Sequence, residues 1–411
     1  MTTAKNANRA KNQITLNLVF AFFAFFAVAC LKNPTMTKKI FIAGSGGIGE
    51  AAALLLREWS EFETEVYLGD VSEDSLRKAK DFVGRASEKT SKIETVLMTG
   101  EVNDAMRAAF EACAVLLDCS PGAQAPKMAR FAVDFKMHYA NLTEYVAETD
   151  EIIALAKDAE TGFMLQTGLA PGFINVLAMS LYHQFVEKYE NEKVERIGMK
   201  VGALTAHAHA PHFYGFTWSP IGVATEYVKN SVVLRNYKIT KKPALSSRET
   251  IVIGARTYEA DLTSGGAADL PDFFAGKARN LDYKTLRYVG HYDWVESLVR
   301  KLPKDENLPL NLQNAMLKAV PSVEDDLVLV HASVDGFDGD GRRRMLEKAF
   351  YVEPLKIAGK GLRAIQTTTA APLLESAMML LSGKYKGVVL QSQLEPADFL
   401  KGNFVSRIYR D

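Results

Sequence analysis

An apolar, β-forming run from Ile40 to Ala43 enters Gly44-Ser45-Gly46-Gly47-Ile48-Gly49, and a run of alanine and leucine leaves it. Glycines at the first, third and sixth places of such a turn suit a dinucleotide. Gly44 permits the tight turn, Gly46 lets backbone approach a pyrophosphate, and Gly49 lets a helix pack on its strand. The free N–H groups and positive dipole end of that helix would hold phosphates, so Gly44, Ser45, Gly46, Gly47, Ile48 and Gly49 are the cofactor-binding candidates. Thr64 to Asp70 reads as a second strand ending in an acid, about 20 residues after the last motif glycine. A carboxylate there accepts hydrogen bonds from a ribose 2′-hydroxyl and repels a 2′-phosphate, so Asp70 favours NAD, with NADP as the second option.

Further along, Lys136 is read as a possible general acid or base, since a neighbouring cation and burial can lower a lysine pKa. Its place just before the fifth strand sets it near the ligand edge of the sheet, and a solvated helix end is the plainer alternative. Cys119 reads as a small core residue rather than a nucleophile. His207, His209 and His212 share one loop, but no second ligand cluster accompanies them, so a structural or substrate-contacting role is expected and a metal is not. In Leu262-Thr263-Ser264-Gly265-Gly266 the backbone N–H groups of the paired glycines can bind a carboxylate. Asp282 to His291 holds the densest set of ion-binding side chains outside the glycine turn, and Arg287 within it can grip a carboxylate bidentately.

These residues need elements to position them. Strand candidates at Glu94–Met98, Ala114–Leu117, His138–Leu142 and Gly162–Gln166 alternate with helical stretches, which implies right-handed βαβ units and a parallel sheet. Ligands of such sheets lie beyond the carboxyl ends of the strands, which adds Ser120, Pro121 and Gly168 to the cofactor side. After Pro171 the pattern changes to a long helix, Ile174 to Tyr189, a strand from Lys193 to Gly202, and then hairpins and aromatics. Ser219 is a good N-cap and Pro220 suits a first helical position, so a short helix carries Glu226-Tyr227-Val228. A last helix, from Ile365 through Leu381, is expected to pack back on the first domain.

Composition bounds the rest. At 411 residues the chain exceeds what one core normally serves, so two domains are expected. Hydrophobic content of 48% and charged content of 24% are ordinary globular values. Lys+Arg and Asp+Glu both number 49, so no net field attracts nucleic acid or an acidic membrane. Three cysteines without metal-ligand spacing suit a reducing compartment. At the N-terminus, Lys5, Arg9 and Lys11 precede an uncharged run from Leu16 to Leu31, the layout of a signal peptide, with small residues before Cys30 faintly like a lipoprotein site. The run is short for a membrane span. Because the nucleotide fold begins two residues after Met36, translation from Met36 and a cytoplasmic protein are expected, with export or membrane tethering as the alternative.

Several blocks together resemble the saccharopine dehydrogenase family: Gly168-Leu-Ala-Pro-Gly172, Thr217-Trp-Ser-Pro220 with Glu226-Tyr227, Thr263-Ser-Gly-Gly266, Tyr283-Lys-Thr-Leu-Arg-Tyr288 with Gly290-His291, and Gln393-Leu-Glu395. The resemblance runs from about Met36 to the end and is strongest to bacterial glutamate-forming enzymes. It implies an α/β fold: a Rossmann-type parallel sheet domain (36–170 and 347–411) and a mixed α/β substrate domain (171–346), with the C-terminal segment returning to the first. The implied reaction is NAD(P)-dependent oxidation at the C–N bond of an amino-acid-derived secondary amine, saccharopine giving glutamate and 2-aminoadipate semialdehyde. Lysine 6-dehydrogenase and carboxynorspermidine dehydrogenase are related alternatives, and a non-catalytic NAD-binding sensor is a third. By position, Lys136 falls where fungal saccharopine reductases place a catalytic lysine. Their partner acid, in Gly-Leu-Asp-Pro-Gly, is Ala170 here, so Lys136, a histidine such as His291, or water must move the proton. For the substrate carboxylates Arg287 is the first choice and Arg235 and Arg363 follow, with Trp218, Tyr288 and His291 on the wall and Gly265 and Gly266 beside them. A small amino-acid-derived substrate and a homodimer are the expected partners.

Overall fold

The computed structural model describes residues 37–86 and 92–410; the apolar leader, Cys30 and Met36 lie outside them. Six strands come first, β1 (Lys38–Ala43), β2 (Thr64–Asp70), β3 (Ile93–Leu97), β4 (Val115–Asp118), β5 (His138–Asn141) and β6 (Gly162–Met164). Each is short, and helices separate them. The strands β7 (Val194–Thr205), β8 (Ser231–Arg235), β9 (Lys238–Lys242), β10 (Glu249–Ile253), β11 (Arg256–Leu262), β12 (Ala278–Tyr288), β13 (Asp326–Phe337) and β14 (Arg343–Val352) follow. A two-stranded ribbon of β15 (Leu355–Ile357) and β16 (Lys360–Leu362) precedes the last strand, β17 (Gly387–Val389).

Two sheets result. The first is parallel with seven strands in the order β17-β6-β5-β4-β1-β2-β3. The strand order reverses beside β1, so the glycine turn that follows β1 opens at the topological switch point, where nucleotides bind in such sheets. Helices cover both faces, and strands such as β4 are buried along their whole length. The second sheet is mixed, in the order β10-β11-β12-β7-β13-β14, with β8 paired to β12 and β9 to β8; β7 and β12 run parallel while their other neighbours run antiparallel. This is the expected α/β architecture.

The period of two along β7 and β12 decides what each face of the second sheet carries. On β7, Ile197, Met199, Val201 and Ala203 belong to the main hydrophobic core, whereas Arg196 and Lys200 lie on the opposite face. On β12, Tyr283, Thr285 and Arg287 face the cleft between the sheets, and Asp282 and Lys284 face away into an ion cluster with Arg196, Lys200, Arg235 and Glu249.

Residues 343–352 complete the ladder with β13, so the substrate sheet extends past residue 347 and the chain crosses back only after Val352, later than a boundary at 346. The return is made by the helix Ala364–Leu381, which packs on the helix Gly47–Trp59 that follows the glycine turn. Asp326, the first residue of β13, accepts from the N–H groups of Ala364 (2.8 Å) and Ile365 (2.7 Å), which satisfies the open end of that helix. β17 then extends the first sheet beside β6. Among the described residues no helix is long and apolar enough to cross a membrane.

Candidate active site

The turn after β1 is shaped by its glycines. Gly44 has φ +95°, and a Cβ there would lie 2.7 Å from the carbonyl oxygen of Cys119. A Cβ on Gly49 would come 1.9 Å from the carbonyl of Gly44, so the helix Gly47–Trp59 can start this close to its strand only with glycine. A Cβ on Gly46 would meet nothing within 4 Å, leaving the open space that a bound pyrophosphate needs above the helix N-terminus. Ser45 is buried, and its N–H and hydroxyl donate to Asp70 at 2.8 and 2.9 Å. Asp70 thus ends β2 against the glycine turn, and the lone pairs it keeps can accept a ribose hydroxyl. These features together fit a nicotinamide dinucleotide.

Next to this turn a cavity of about 390 Å³ lies between the two sheets. Gly47, Ile48, Ser120, Pro121 and Gly168 line its nucleotide side, and Trp218, Tyr283, Thr285 and Arg287 its far side. Ser120 is held by Asp118, which accepts its N–H at 3.0 Å. Arg363 sits between the two sides: its Nη1 donates to the carbonyl of Thr217 at 3.0 Å, and Glu324 lies 3.6 Å from its Nε.

The far side contains the groups that can do acid–base chemistry. Arg287 is 1% exposed, donates from Nε to the Tyr227 hydroxyl at 2.7 Å, and lies over the ring of Tyr214 at 5.0 Å. It forms no salt bridge among the described residues. Its Nη1 also donates to the carbonyl of Leu286 at 2.9 Å, and a buried guanidinium held by a hydroxyl, a carbonyl and ring faces, with no ion pair among the described residues, can receive an anion on its remaining N–H groups. Two carboxyls share its cavity, Glu144 and Glu226. Burial raises the pKa of Glu226 to about 8, the charge of Glu144 adds to the rise, and Arg287 opposes it. Glu144 is raised as well, chiefly by burial. Burial and the neighbouring charge of Glu144 both favour the protonated form of Glu226, which suits a group that must take and return a proton.

A family model for the saccharopine dehydrogenase NADP binding domain matches residues 40–165, and one for the saccharopine dehydrogenase C-terminal domain matches residues 168–402. The chain belongs to the saccharopine dehydrogenase family. It is an NAD(P)-binding oxidoreductase of that family. A curated relative, mitochondrial alpha-aminoadipic semialdehyde synthase of Rattus norvegicus, is 24% identical over 205 residues, which is 49% of this chain but only 21% of the rat protein. Two solved structures share the fold. Saccharopine dehydrogenase (L-Glu forming) of Saccharomyces cerevisiae superposes with a TM-score of 0.67 at 15% identity, over 89% of this chain and 96% of the yeast one. Homospermidine synthase of Legionella pneumophila, solved with NAD, gives 0.61 at 10% identity over 92% of each chain.

Within this family site, several residues singled out above fall elsewhere. Lys136 is exposed, with φ 53°, at the amino end of β5. A residue that enters a strand of a parallel sheet lies on the edge opposite the glycine turn, so Lys136 is removed from the acid–base candidates. His291 is wholly buried: its Nδ1 donates to the carbonyl of His212 at 2.8 Å, and its Nε2 accepts from the Tyr227 hydroxyl at 3.0 Å. Burial and the nearby Arg287 push its pKa down to about 3, so it is a neutral support behind Arg287 and not a proton carrier in the cavity. Arg235 is committed to Asp282 at 2.8 Å on the far face of the second sheet. Tyr288 donates to the carbonyl of Thr205 at 2.9 Å and also leaves the cavity wall. Gly266 is pressed on the Tyr283 ring and Gly265 on Glu144. In the histidine loop, His207 contacts Asp325 and His212 packs edge-on against Trp294.

Glu144 and Glu226 are the functional candidates that the residue pattern left unassigned. Glu226 had a visible signal: it is the only charged residue of the helix Pro220–Val228, otherwise apolar and largely buried. Glu144 follows the carboxyl end of β5 by three residues, the side on which ligands of parallel sheets bind.

Proposed function

We propose that the protein is an NAD-dependent dehydrogenase acting on CH–NH donors, and that it oxidises saccharopine to glutamate and 2-aminoadipate semialdehyde. The observation that carries this reading is one cavity with a dinucleotide turn on one side and, on the other, two carboxyls and a buried arginine that forms no ion pair among the described residues. An anion clamp adjacent to a proton acceptor is what an α-carboxylate next to an amine nitrogen requires. When bound, the nicotinamide dinucleotide supplies the hydride acceptor. Arg287 holds the carboxylate of the glutamate part and fixes the nitrogen and its neighbouring carbon in the cavity. The Glu144–Glu226 pair takes the proton from the protonated amine, so that the lone pair can form the C=N bond as the hydride leaves carbon. That proton passes to solvent; the same pair then receives a proton from the water that adds to that carbon and returns it to nitrogen as the C–N bond breaks, the hydroxyl proton of the adduct leaving as the aldehyde forms. Trp218, Tyr283 and Leu142 wall the cavity with apolar surface and limit bulk water. Asp70 supports NAD over NADP because a 2′-phosphate would sit against its carboxylate.

The test is the fluorescence of reduced cofactor formed by the purified chain with saccharopine, lysine or carboxynorspermidine. Turnover with saccharopine and NAD is expected. Turnover with lysine alone would contradict the substrate assignment, and cofactor binding without turnover of any of the three would contradict the activity.

A further inference from the structure

A second cavity, of about 310 Å³, abuts the first behind the carboxyl pair, and the two share Glu144, Tyr145, Glu226 and Tyr283 as a common wall. The loop Thr263–Gly265 forms part of its boundary, held where the N–H of Ser264 donates to the carbonyl of Glu226 at 3.2 Å. Two side chains of opposite charge line this second cavity, Lys229 and Glu148. Neither forms a salt bridge among the described residues, and Lys229 rests over the ring of Tyr145 at 5.4 Å. The N–H of Gly265 likewise has no hydrogen-bond partner among the described residues. Lys229 is exposed and stands at the mouth of the cavity, and a cation with a free N–H, and a carboxylate, neither in a salt bridge, around one cavity complement a ligand that carries both charges on neighbouring atoms.

We infer that the second cavity is a binding site for a zwitterionic α-amino-acid head group, with Lys229 and Gly265 on its carboxylate and Glu148 on its ammonium. The inference rests on the activity proposed above. A secondary amine has two arms: one, with its carboxylate on Arg287, occupies the first cavity, and the other passes the Glu144–Glu226 wall and ends in the second. The reacting carbon then lies at the wall, next to the proton-transfer pair. Lys229 and Glu148 therefore select the distal end of the substrate and take no part in the chemistry.

The probe is L-norleucine, which has the amino-acid head and an alkyl arm but no secondary amine, titrated by ligand-observed NMR against the full chain with NAD present. It is expected to bind, to be displaced by saccharopine, and to lose about tenfold in affinity, the equivalent of one charge-assisted contact, in Lys229→Ala and in Glu148→Gln. N-pentylglutamate, which lacks the head, should bind both variants as it binds the unaltered protein. Failure of L-norleucine to bind, affinity unchanged in both variants, or an equal loss for N-pentylglutamate would overturn the assignment. Loss of turnover is a separate readout: binding as described without reduced cofactor from saccharopine would contradict the activity and leave the head-group site standing.

Discussion

Glu226 is the residue on which the chemistry depends. Because burial holds its pKa near 8, the carboxyl is largely protonated at neutral pH and becomes a base as the pH rises through that value. Glu226→Gln should lower kcat for saccharopine oxidation by about 100- to 10,000-fold, the range for loss of a positioned acid or base, with KM little changed. Glu144→Gln removes the charge that helps to raise Glu226, so the rising limb of the pH–rate profile should move to lower pH. The same shift bears on stability. The folded-state value of Glu226 lies above the ordinary carboxylate value of 4.5, so the folded form binds the proton more tightly. Its contribution to stability is full below pH about 4.5 and is lost as pH rises through about 8. Glu226→Gln should therefore reduce the loss of Tm between pH 6 and pH 9, read by thermal melts, whereas an unchanged slope would place the carboxyl in a wetter setting. For Arg287, replacement by Ala should raise KM for saccharopine about 10- to 100-fold, as one charged contact is lost. An unchanged KM would remove it from the substrate site.

The elements explain why these few residues meet. Asp326 ties the start of the second sheet's β13 to the start of the returning helix, and both N–H groups it accepts belong to the open first turn of Ala364–Leu381. Asp326→Ala should cost about 1–2 kcal/mol in urea unfolding, as for a lost N-cap; a smaller change would show that water replaces it. Gly49→Ala should abolish cofactor binding, because a Cβ 1.9 Å from the Gly44 carbonyl forces the helix off its strand. The parallel sheet, its helices and the glycine turn were legible from periodicity and turn chemistry, since those signals are local. The active cavity was less so. The block from Asp282 to His291 looked like a single ion-binding cluster, yet a strand sends alternate residues to opposite faces, so Arg287 reaches the cavity while Asp282 and Lys284 do not. His291 caps the block at the start of a helix and points into the aromatic core around Tyr214, Tyr227 and Trp294. The pairing of Glu144 with Glu226, more than 80 residues apart in the chain, is a tertiary event that no local pattern announces.

At the scale of the molecule, the site exists because the chain leaves the first sheet, builds the second, and comes back. Phe173, at the departure, stacks on Tyr409, near the end of the return, with centroids 3.4 Å apart, and Glu375 accepts the N–H of Phe404 at 2.9 Å. The first contact ties the end of the chain to the start of the helix Phe173–Tyr189 that leads to the second sheet, and the second fixes the returning segment on its own helix. Removing residues 384–411 would open the β6 edge and strip the Tyr409 ring from Phe173, and cofactor binding, read by tryptophan fluorescence, should be lost along with a fall in Tm. Retention of both would mean that the return is dispensable for the cleft. The most direct test of the account is the pH dependence of kcat/KM for saccharopine oxidation, measured side by side for the unaltered protein and for Glu226→Gln. The rate of the unaltered protein should climb with pH to a plateau above about 8, and that of the variant should be flat and strongly depressed. A variant that keeps both the rate and its pH dependence would contradict it.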